Sequence, residues 1–503
     1  MDVIVIGAGL GGLSAAAHLR AAGHQVLVVE REAVPGGRAG RLELGGYQFD
    51  TGPTVLTMVD LIESAFRAVD ADMADFLTLH QVDPMYRAVY EDGSQLRIWH
   101  GRERMAAEIR EVAGATEAAG FHRFCDWLEE LYRLEMDDFI DRNFDSPLDL
   151  AWPLTPALKL LRHGGFGKLS ARVGKYFADE RLQRIFSFQS MYAGLAPYQA
   201  LAIYCVITYM DSIEGVWFPE GGMHAVPAAL AAATEKAGVQ YRYETSVERI
   251  LLEHGSTGRV QGVRLDDGEV LRADAVVCNP DLPAAYRTLV PGLKMPRVAR
   301  TGSYSPSCVV WHVGAKGTPP EGTAHHNIHF GRQWDSAFRA LLEDGTRMPD
   351  PSILVTVPTL DDPAMAPDDS TVLYVLEPTP NLDGAIDWTA DRSRFRDSIA
   401  AKVADLGYPD DIEVEAFVDP MDWERQGMER GTPFALSHQF FQTGPFRPNN
   451  VHRQAPGLVF VGSGTVPGVG VPMVLVSGRL AAERVERFAS GGRSRGTAQG
   501  ARR

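Results

Sequence analysis

Three glycines and one carboxylate near the start of this 503-residue chain have the spacing of a dinucleotide site. Gly7, Gly9 and Gly12 stand at GxGxxG spacing directly after the apolar run 3–6, and Glu30 closes a second apolar run, 26–29, 23 positions after Gly7. Gly7 permits a tight reversal, Gly9 lets bare backbone approach a pyrophosphate, and Gly12 lets the following helix sit close to the strand. A carboxylate at Glu30 can accept both hydroxyls of an adenosine ribose, which disfavours a 2′-phosphate and therefore NADP. Arg31 beside it blurs that exclusion slightly. GxGxxG alone also occurs in ordinary glycine-rich turns; strand, helix, second strand and acid in register are what specify a nucleotide site.

The elements that position these residues follow from periodicity. Helix 13–22, stopped by Gly23, aims its free N-terminal amides and positive dipole end at the phosphates. A second glycine-rich turn, 462–470, joins strand 459–461 to helix 473–488, and amides at that helix start suit a developing negative charge. The stretch 457–478 has no charged residue over 22 positions, close to membrane-spanning length. Five glycines before Gly478 and two prolines break it, so it reads as strand, turn and helix start.

Composition bounds the class. The length exceeds what one core usually supports, so two or three intertwined domains are expected. A hydrophobic content of 45% and a charged content of 23% are those of a folded soluble protein. A formal charge of −16 speaks against nucleic acid as a partner, because phosphate binding needs a basic face. Cys125, Cys205, Cys278 and Cys308 form no CxxC pair, which fits a reduced intracellular chain with buried thiols. His325, His326 and His329 have no acid or cysteine at helpful spacing, so no metal is expected. The first strand follows Met1 so closely that a signal peptide has no room.

Along the chain, 60–132 reads as mostly helical, with LIESAFRAV and FHRFCDWLEELYRL showing the i, i+3, i+4 recurrence of a packed face. An alanine-rich helix over 228–237 precedes strand 239–243, and a hairpin turning at Asp266-Asp267-Gly268 leads into a buried strand, 275–278. From 303 to 445, short strands alternate with proline-rich loops, a β platform able to cover a substrate cavity. Residues 151–178 carry Lys159, Arg162, Lys168, Arg172 and Lys175 with no acid, among Trp, Leu and Phe. Such a segment suits the headgroup layer of a membrane, or equally a core helix whose long cations snorkel outward. The arginine-bearing tail 489–503 is expected to be disordered.

Gly36-Gly37-Arg38 is followed by Phe49-Asp50-Thr51-Gly52-Pro53, and later by FSFQSMYAGLAPYQALAIYCVITYMDSIEGVWFPEGGM, HHNIHFG, TPFALSHQFFQTGPFRPNN and GLVFVGSGTVPGVGVPMVLVSGRLAAERVERF. From residue 3 to about 488 the chain resembles the bacterial phytoene desaturase family, within the flavin amine oxidase and protoporphyrinogen oxidase group. The resemblance implies FAD rather than NAD, held by Gly37, Arg38, Asp50, Thr51, Gly52 and Pro53, by backbone near Val247 at the adenine, and by Gly462, Gly464, Gly470, Val471 and Met473 around the flavin. Ser463 stands where the family commonly has Ala, Val466 where it has His, and Met473 where Gly is usual, which bears on substrate choice and local flavin contacts.

The fold class implied is α/β: a Rossmann-like FAD-binding domain formed by both chain ends (1–58, 240–300 and 450–488), with an inserted α+β substrate domain. That insertion comprises a largely helical, membrane-facing region, 59–239, and a β-rich platform, 301–449. The activity implied is successive desaturation of a C40 polyene, phytoene towards lycopene, by a cytoplasmic enzyme peripheral on the inner face of the cell membrane. The electron acceptor stays open between oxygen and a quinone. For the proton that must leave beside the hydride, Asp149, where the family has been proposed to carry an acid, and Glu220, beside the tunnel-like stretch, are the candidates, although both also read as structural. Arg162 is a candidate flavin-side or headgroup contact. Open alternatives are a desaturase or isomerase of diapophytoene or a hydroxylated carotenoid, a flavin amine oxidase, and a non-enzymatic prenyl carrier like the GDP-dissociation inhibitors.

Overall fold

The strands on which the nucleotide turn depends are apolar along nearly their whole length, and the structure buries them in one parallel sheet. The computed structural model describes residues 1–146, 149 and 154–500. In it the strands run in the order Leu458–Phe460, Ala275–Cys278, Asp2–Ile6, Gln25–Val29 and Gln240–Arg242, all parallel. Ile6 stands opposite both Cys278 and Val29, so three strand ends finish level at the edge where the chain turns into its first helix. Strands without polar alternation belong to a sheet covered on both faces. Val3 and Val5 face the helices, whereas Ile4 and Ile6 pack towards the antiparallel sheet of Val247–Leu252, Val260–Leu265 and Val270–Arg272.

The two chain ends meet through small residues. A β-carbon on Gly478, in the helix Val471–Gly500, would lie 2.6 Å from both the Ala15 amide and the Gly11 carbonyl of the helix Leu10–Ala21. Glycine at 478 thus lets the helix backbones touch, and the Ser14 hydroxyl donates to the Leu475 carbonyl at 2.7 Å across the contact.

A second, seven-stranded sheet is mixed, in the order Asp411–Val418, Ser307–Lys316, Ser370–Thr379, Ile353–Thr356, His326–His329, Tyr86–Val89 and Gln95–Ile98. Its strands alternate as the pleat requires. Val309, Trp311, Val355, Leu373 and Val375 pack beneath Trp388, Phe395, Ile399 and Val403 of the helix Trp388–Asp405. Cys308, Leu354, Tyr374 and Leu376, out of phase with them, face a cavity.

Several expectations need correction. The region 59–239 is not a separate helical unit: helices Val59–Ala68, Arg102–Ala113 and Ala115–Glu135 are present, but Tyr86–Val89 and Gln95–Ile98 join the platform sheet. Tyr86–Val89 pairs in parallel with His326–His329, a partner too distant in sequence for local pattern to reveal. The last helix starts at Val471 rather than 473 and is described as far as Gly500, with the Ser490 hydroxyl donating back to the Glu486 carbonyl. Residues 151–153 of the basic segment and 501–503 of the tail lie outside the described residues. Among the described residues no helix is long and apolar enough to cross a membrane.

Candidate active site

Gly7 closes the first strand at φ +91°, a conformation that favours glycine. Close approach explains Gly12: its β-carbon would lie 2.1 Å from the Gly7 carbonyl, so only glycine lets the helix start against the turn. Gly9 caps the helix without a side-chain bond, leaving the first amides for an anion. The buried Glu30 carboxylate accepts from the Ala8 amide at 2.5 Å and from the Glu32 amide at 3.0 Å, which fixes it at the end of the second strand.

One cavity of about 1370 Å³ gathers most of the residues expected around a cofactor. Gly7, Gly9, Glu30, Arg31, Gly37, Arg38, Thr51, Gly52, Pro53, Val247, Gly462, Gly470, Val471 and Met473 all line it. Three others support it from behind. Gly12 packs on Gly7; a β-carbon on Gly464 would lie 2.7 Å from that of Leu282; and the buried Asp50 accepts from the Met223 amide at 2.7 Å. Asp50 is therefore a brace between its strand and the helix Ala225–Lys236, and burial pushes its carboxyl up to about 7.

The 462–470 turn is held by two arginines, Arg38 half-buried and Arg447 buried. Arg38 donates Nη2 to the Ser463 hydroxyl at 2.8 Å and also reaches the Pro433 carbonyl. Arg447 gives Nη2 to the Ser463 carbonyl at 2.7 Å and Nε to the Thr465 carbonyl at 2.9 Å. Burial lowers the Arg447 guanidinium to about 10. Asp281, raised to about 6 by burial and drawn back down by Arg38, lines the cavity beside it.

The two acids expected to take a proton are elsewhere. Asp149 accepts from the Asp145 and Ser146 amides at 2.7 and 3.0 Å, bonds that hold its carboxyl below the usual range, and it does not line the cavity. Glu220 is exposed beside a glycine pair and its own amide is bonded to the Thr78 carbonyl. Local turn chemistry accounts for both. Arg162 is exposed on the helix Leu154–His163 and does not line the cavity. The three histidines are buried and each makes one side-chain contact: His325 Nδ1 meets Asp361 at 2.5 Å, His326 Nε2 meets the Thr54 hydroxyl at 2.7 Å, and His329 Nε2 meets the Tyr408 hydroxyl at 3.0 Å.

The sequence pattern that defines the flavin-containing amine oxidoreductases matches residues 10–486. The chain belongs to that family. It is 50% identical over 489 residues to a phytoene dehydrogenase of Streptomyces griseus, covering 96% of this chain and 94% of that one. It is 38% identical over 497 residues to a zeta-carotene-forming phytoene desaturase of Myxococcus xanthus, covering 97% and 94%. Its fold matches that of an oxidoreductase from Methanosarcina mazei at a TM-score of 0.64 and 18% identity, over 96% of this chain and all of that one. This flavin oxidoreductase is thus an FAD-dependent enzyme of the phytoene desaturase branch.

The cradle fits FAD. The side-chain-free approach at Gly9, uncapped helix amides and a fixed buried carboxylate at Glu30 answer a pyrophosphate and a ribose, and the second glycine turn opens onto the same cavity. Sequence reasoning missed the rest of the lining. Glu135 at the end of the helix Ala115–Glu135 is buried, its Oε1 has no hydrogen-bond partner among the described residues, and burial raises its carboxyl well above the ordinary range. Asp211 lines the cavity with its carboxyl raised to about 7 by burial, against the pull of Ser212 and Gln189. A signal for Asp211 existed: it is the first charged residue after 26 uncharged positions, 185–210.

Proposed function

We propose that this flavin oxidoreductase desaturates phytoene, introducing double bonds in succession towards lycopene. One observation carries the reading: the cavity that holds the nucleotide cradle is also walled by Met191, Ile207, Leu354, Phe338 and Phe440, with no change of chamber. Its volume exceeds the roughly 300–1,000 Å³ of an ordinary ligand pocket, as a site must that takes both FAD and a long hydrocarbon. The relatives named above act on phytoene by their names, which agrees with an apolar wall.

Bound FAD would supply a two-electron hydride acceptor. The chain supplies the rest: glycine turns and Glu30 hold the nucleotide, Arg38 and Arg447 fix the second turn, and the apolar wall excludes water from carbon atoms that become electron-poor as hydride departs. The wall is apolar over most of its lining, which suits a long polyene.

We further propose that the protein docks peripherally on the inner face of the cell membrane. Leu158, Leu161, Phe166, Phe440 and Phe441 are exposed, and Phe166 and Phe440 also line the cavity, so an apolar rim surrounds a path from lipid to flavin. Lys168 and Arg172 are engaged with the Gln199 and Gly164 carbonyls, which leaves the exposed Lys159, Arg162 and Lys175 as the charges that meet headgroups.

The test is incubation of the protein with FAD, liposomes and phytoene, followed by chromatography of the pigments. Lycopene is the expected end product. Accumulation of zeta-carotene would shorten the series, and unchanged phytoene under a bound flavin would refute the assignment.

A further inference from the structure

A hydrocarbon offers nothing to a hydrogen-bonding group, yet the cavity wall contains a built polar cluster. Asp211 and Tyr86 are both buried and both line the cavity. Gln189, fully buried, donates Nε2 to Asp211 Oδ1 at 3.3 Å and to the Ile185 carbonyl at 3.0 Å. The Ser212 hydroxyl donates to the same carboxylate oxygen at 2.5 Å and meets the Tyr86 hydroxyl on its other side. These bonds fall on Oδ1, and none of them falls on Oδ2 of this cavity-lining residue. Burying such a group without using it costs stability.

We propose that Asp211 takes the proton lost in each desaturation, with Gln189 and Ser212 as positioning residues that hold its carboxylate. The assignment rests on the desaturase reading above. In each round hydride leaves one allylic carbon for oxidised FAD, and a proton leaves the adjacent carbon for Asp211 Oδ2. The electron pair left by that proton closes the new double bond. FAD ends reduced by two electrons and is returned by an acceptor of the oxygen or quinone class, and the carboxylic acid gives its proton to water when product leaves.

The other titratable groups on the wall are less suited. Glu135 has no partner at Oε1, and burial raises its carboxyl well above the ordinary range with nothing to draw it back, so the anion a base needs is opposed. Asp281 has an unpartnered Oδ1 but feels the charge of the Arg38 guanidinium, which weakens it as a base. His438 has an unpartnered Nε2, but a β-carbon on Gly468 would sit 2.5 Å from it, so that edge abuts the turn, and nearby Arg447 opposes a second positive charge. The titratable groups facing Asp211 are Tyr86, on the strand Tyr86–Val89, and Tyr192, on the turn Phe188–Ala193; burial keeps both phenols neutral. A base ionised by half near neutrality is matched to proton removal at working pH.

The experiment mixes FAD-loaded protein anaerobically with phytoene in phosphatidylglycerol vesicles and follows loss of the flavin absorbance, for wild type, Asp211→Asn and His438→Gln. Asp211→Asn is expected to bind FAD normally and to bleach about 100-fold more slowly or worse. The wild-type rate should rise with pH through about 7 and the residual rate of Asp211→Asn should be flat. Infrared difference spectra of the protein without substrate should show carboxylic carbonyl absorbance titrating over the same range, reduced in Asp211→Asn to the share that Asp50 leaves and removed when Asp50→Asn is added. A wild-type flavin that phytoene does not bleach overturns the desaturase reading and the assignment with it. If wild type bleaches, an equally fast Asp211→Asn, a loss confined to His438→Gln, or FAD lost from Asp211→Asn overturns the assignment alone.

Discussion

Asp50 and Asp211 sit where water cannot solvate an anion, and burial carries both carboxyls from an ordinary 3.8 to about 7. Because the folded values lie above the unfolded one, the neutral acid is the form the fold favours. Their contribution to stability is intact below the unfolded value and is lost as pH rises through about 7. A displacement of that size corresponds to about 4 kcal/mol per group at most. Thermal melting should therefore fall between about pH 4 and about pH 7, and Asp50→Asn, which keeps an acceptor for the Met223 amide, should flatten the fall. An unchanged slope in that variant would place the titration elsewhere. Asp149→Asn and Glu220→Gln, outside the cavity, should turn over at wild-type rates with FAD bound, as steady-state pigment formation would measure. Sequence motifs picked out Gly7, Gly9 and Glu30, which line the cavity, because each stands at a fixed offset from a strand end. They could not separate Asp149 and Glu220, outside the cavity, from Asp211 on its wall, because an acid in a turn and an acid in a cavity have the same letter.

The helix Leu10–Ala21 and the helix Val471–Gly500 are legible as amphipathic or glycine-led segments, but their mutual contact is a three-dimensional fact. Gly478 has to be small because the Ala15 amide and Gly11 carbonyl lie where a side chain would start. Gly478→Leu should push the helices apart at a cost of about 1–3 kcal/mol or more, lowering the melting temperature and the flavin retained on gel filtration. Retention of flavin and stability in that variant would mean the helices do not touch there. Gly12→Ala should lose FAD more completely, since its β-carbon meets the Gly7 carbonyl of the phosphate turn itself. The strands Tyr86–Val89 and Gln95–Ile98 escaped notice for a related reason. Each is four residues long, set among helices, and is held by a sheet assembled mostly from residues after 300.

Across the whole molecule, a parallel sheet built from both chain ends presents two glycine turns to one chamber, and a mixed sheet lends that chamber an apolar wall. The exposed rim of Leu158, Leu161, Phe440 and Phe441 lies on two segments far apart in sequence, so composition revealed only the basic half of it. Sedimentation with anionic liposomes should weaken on reversing Lys159 and Arg162, with a salt dependence, and on Phe440→Asp with Phe441→Asp, without one. Binding unchanged by both would remove this face from membrane docking. The shared chamber itself is tested by a single anaerobic turnover of the FAD-loaded enzyme with vesicle-borne phytoene, reading flavin reduction and product together. The flavin should be bleached with one new carbon–carbon double bond formed for each flavin reduced. A flavin that stays oxidised beside phytoene, but is bleached by an amine, would contradict the account.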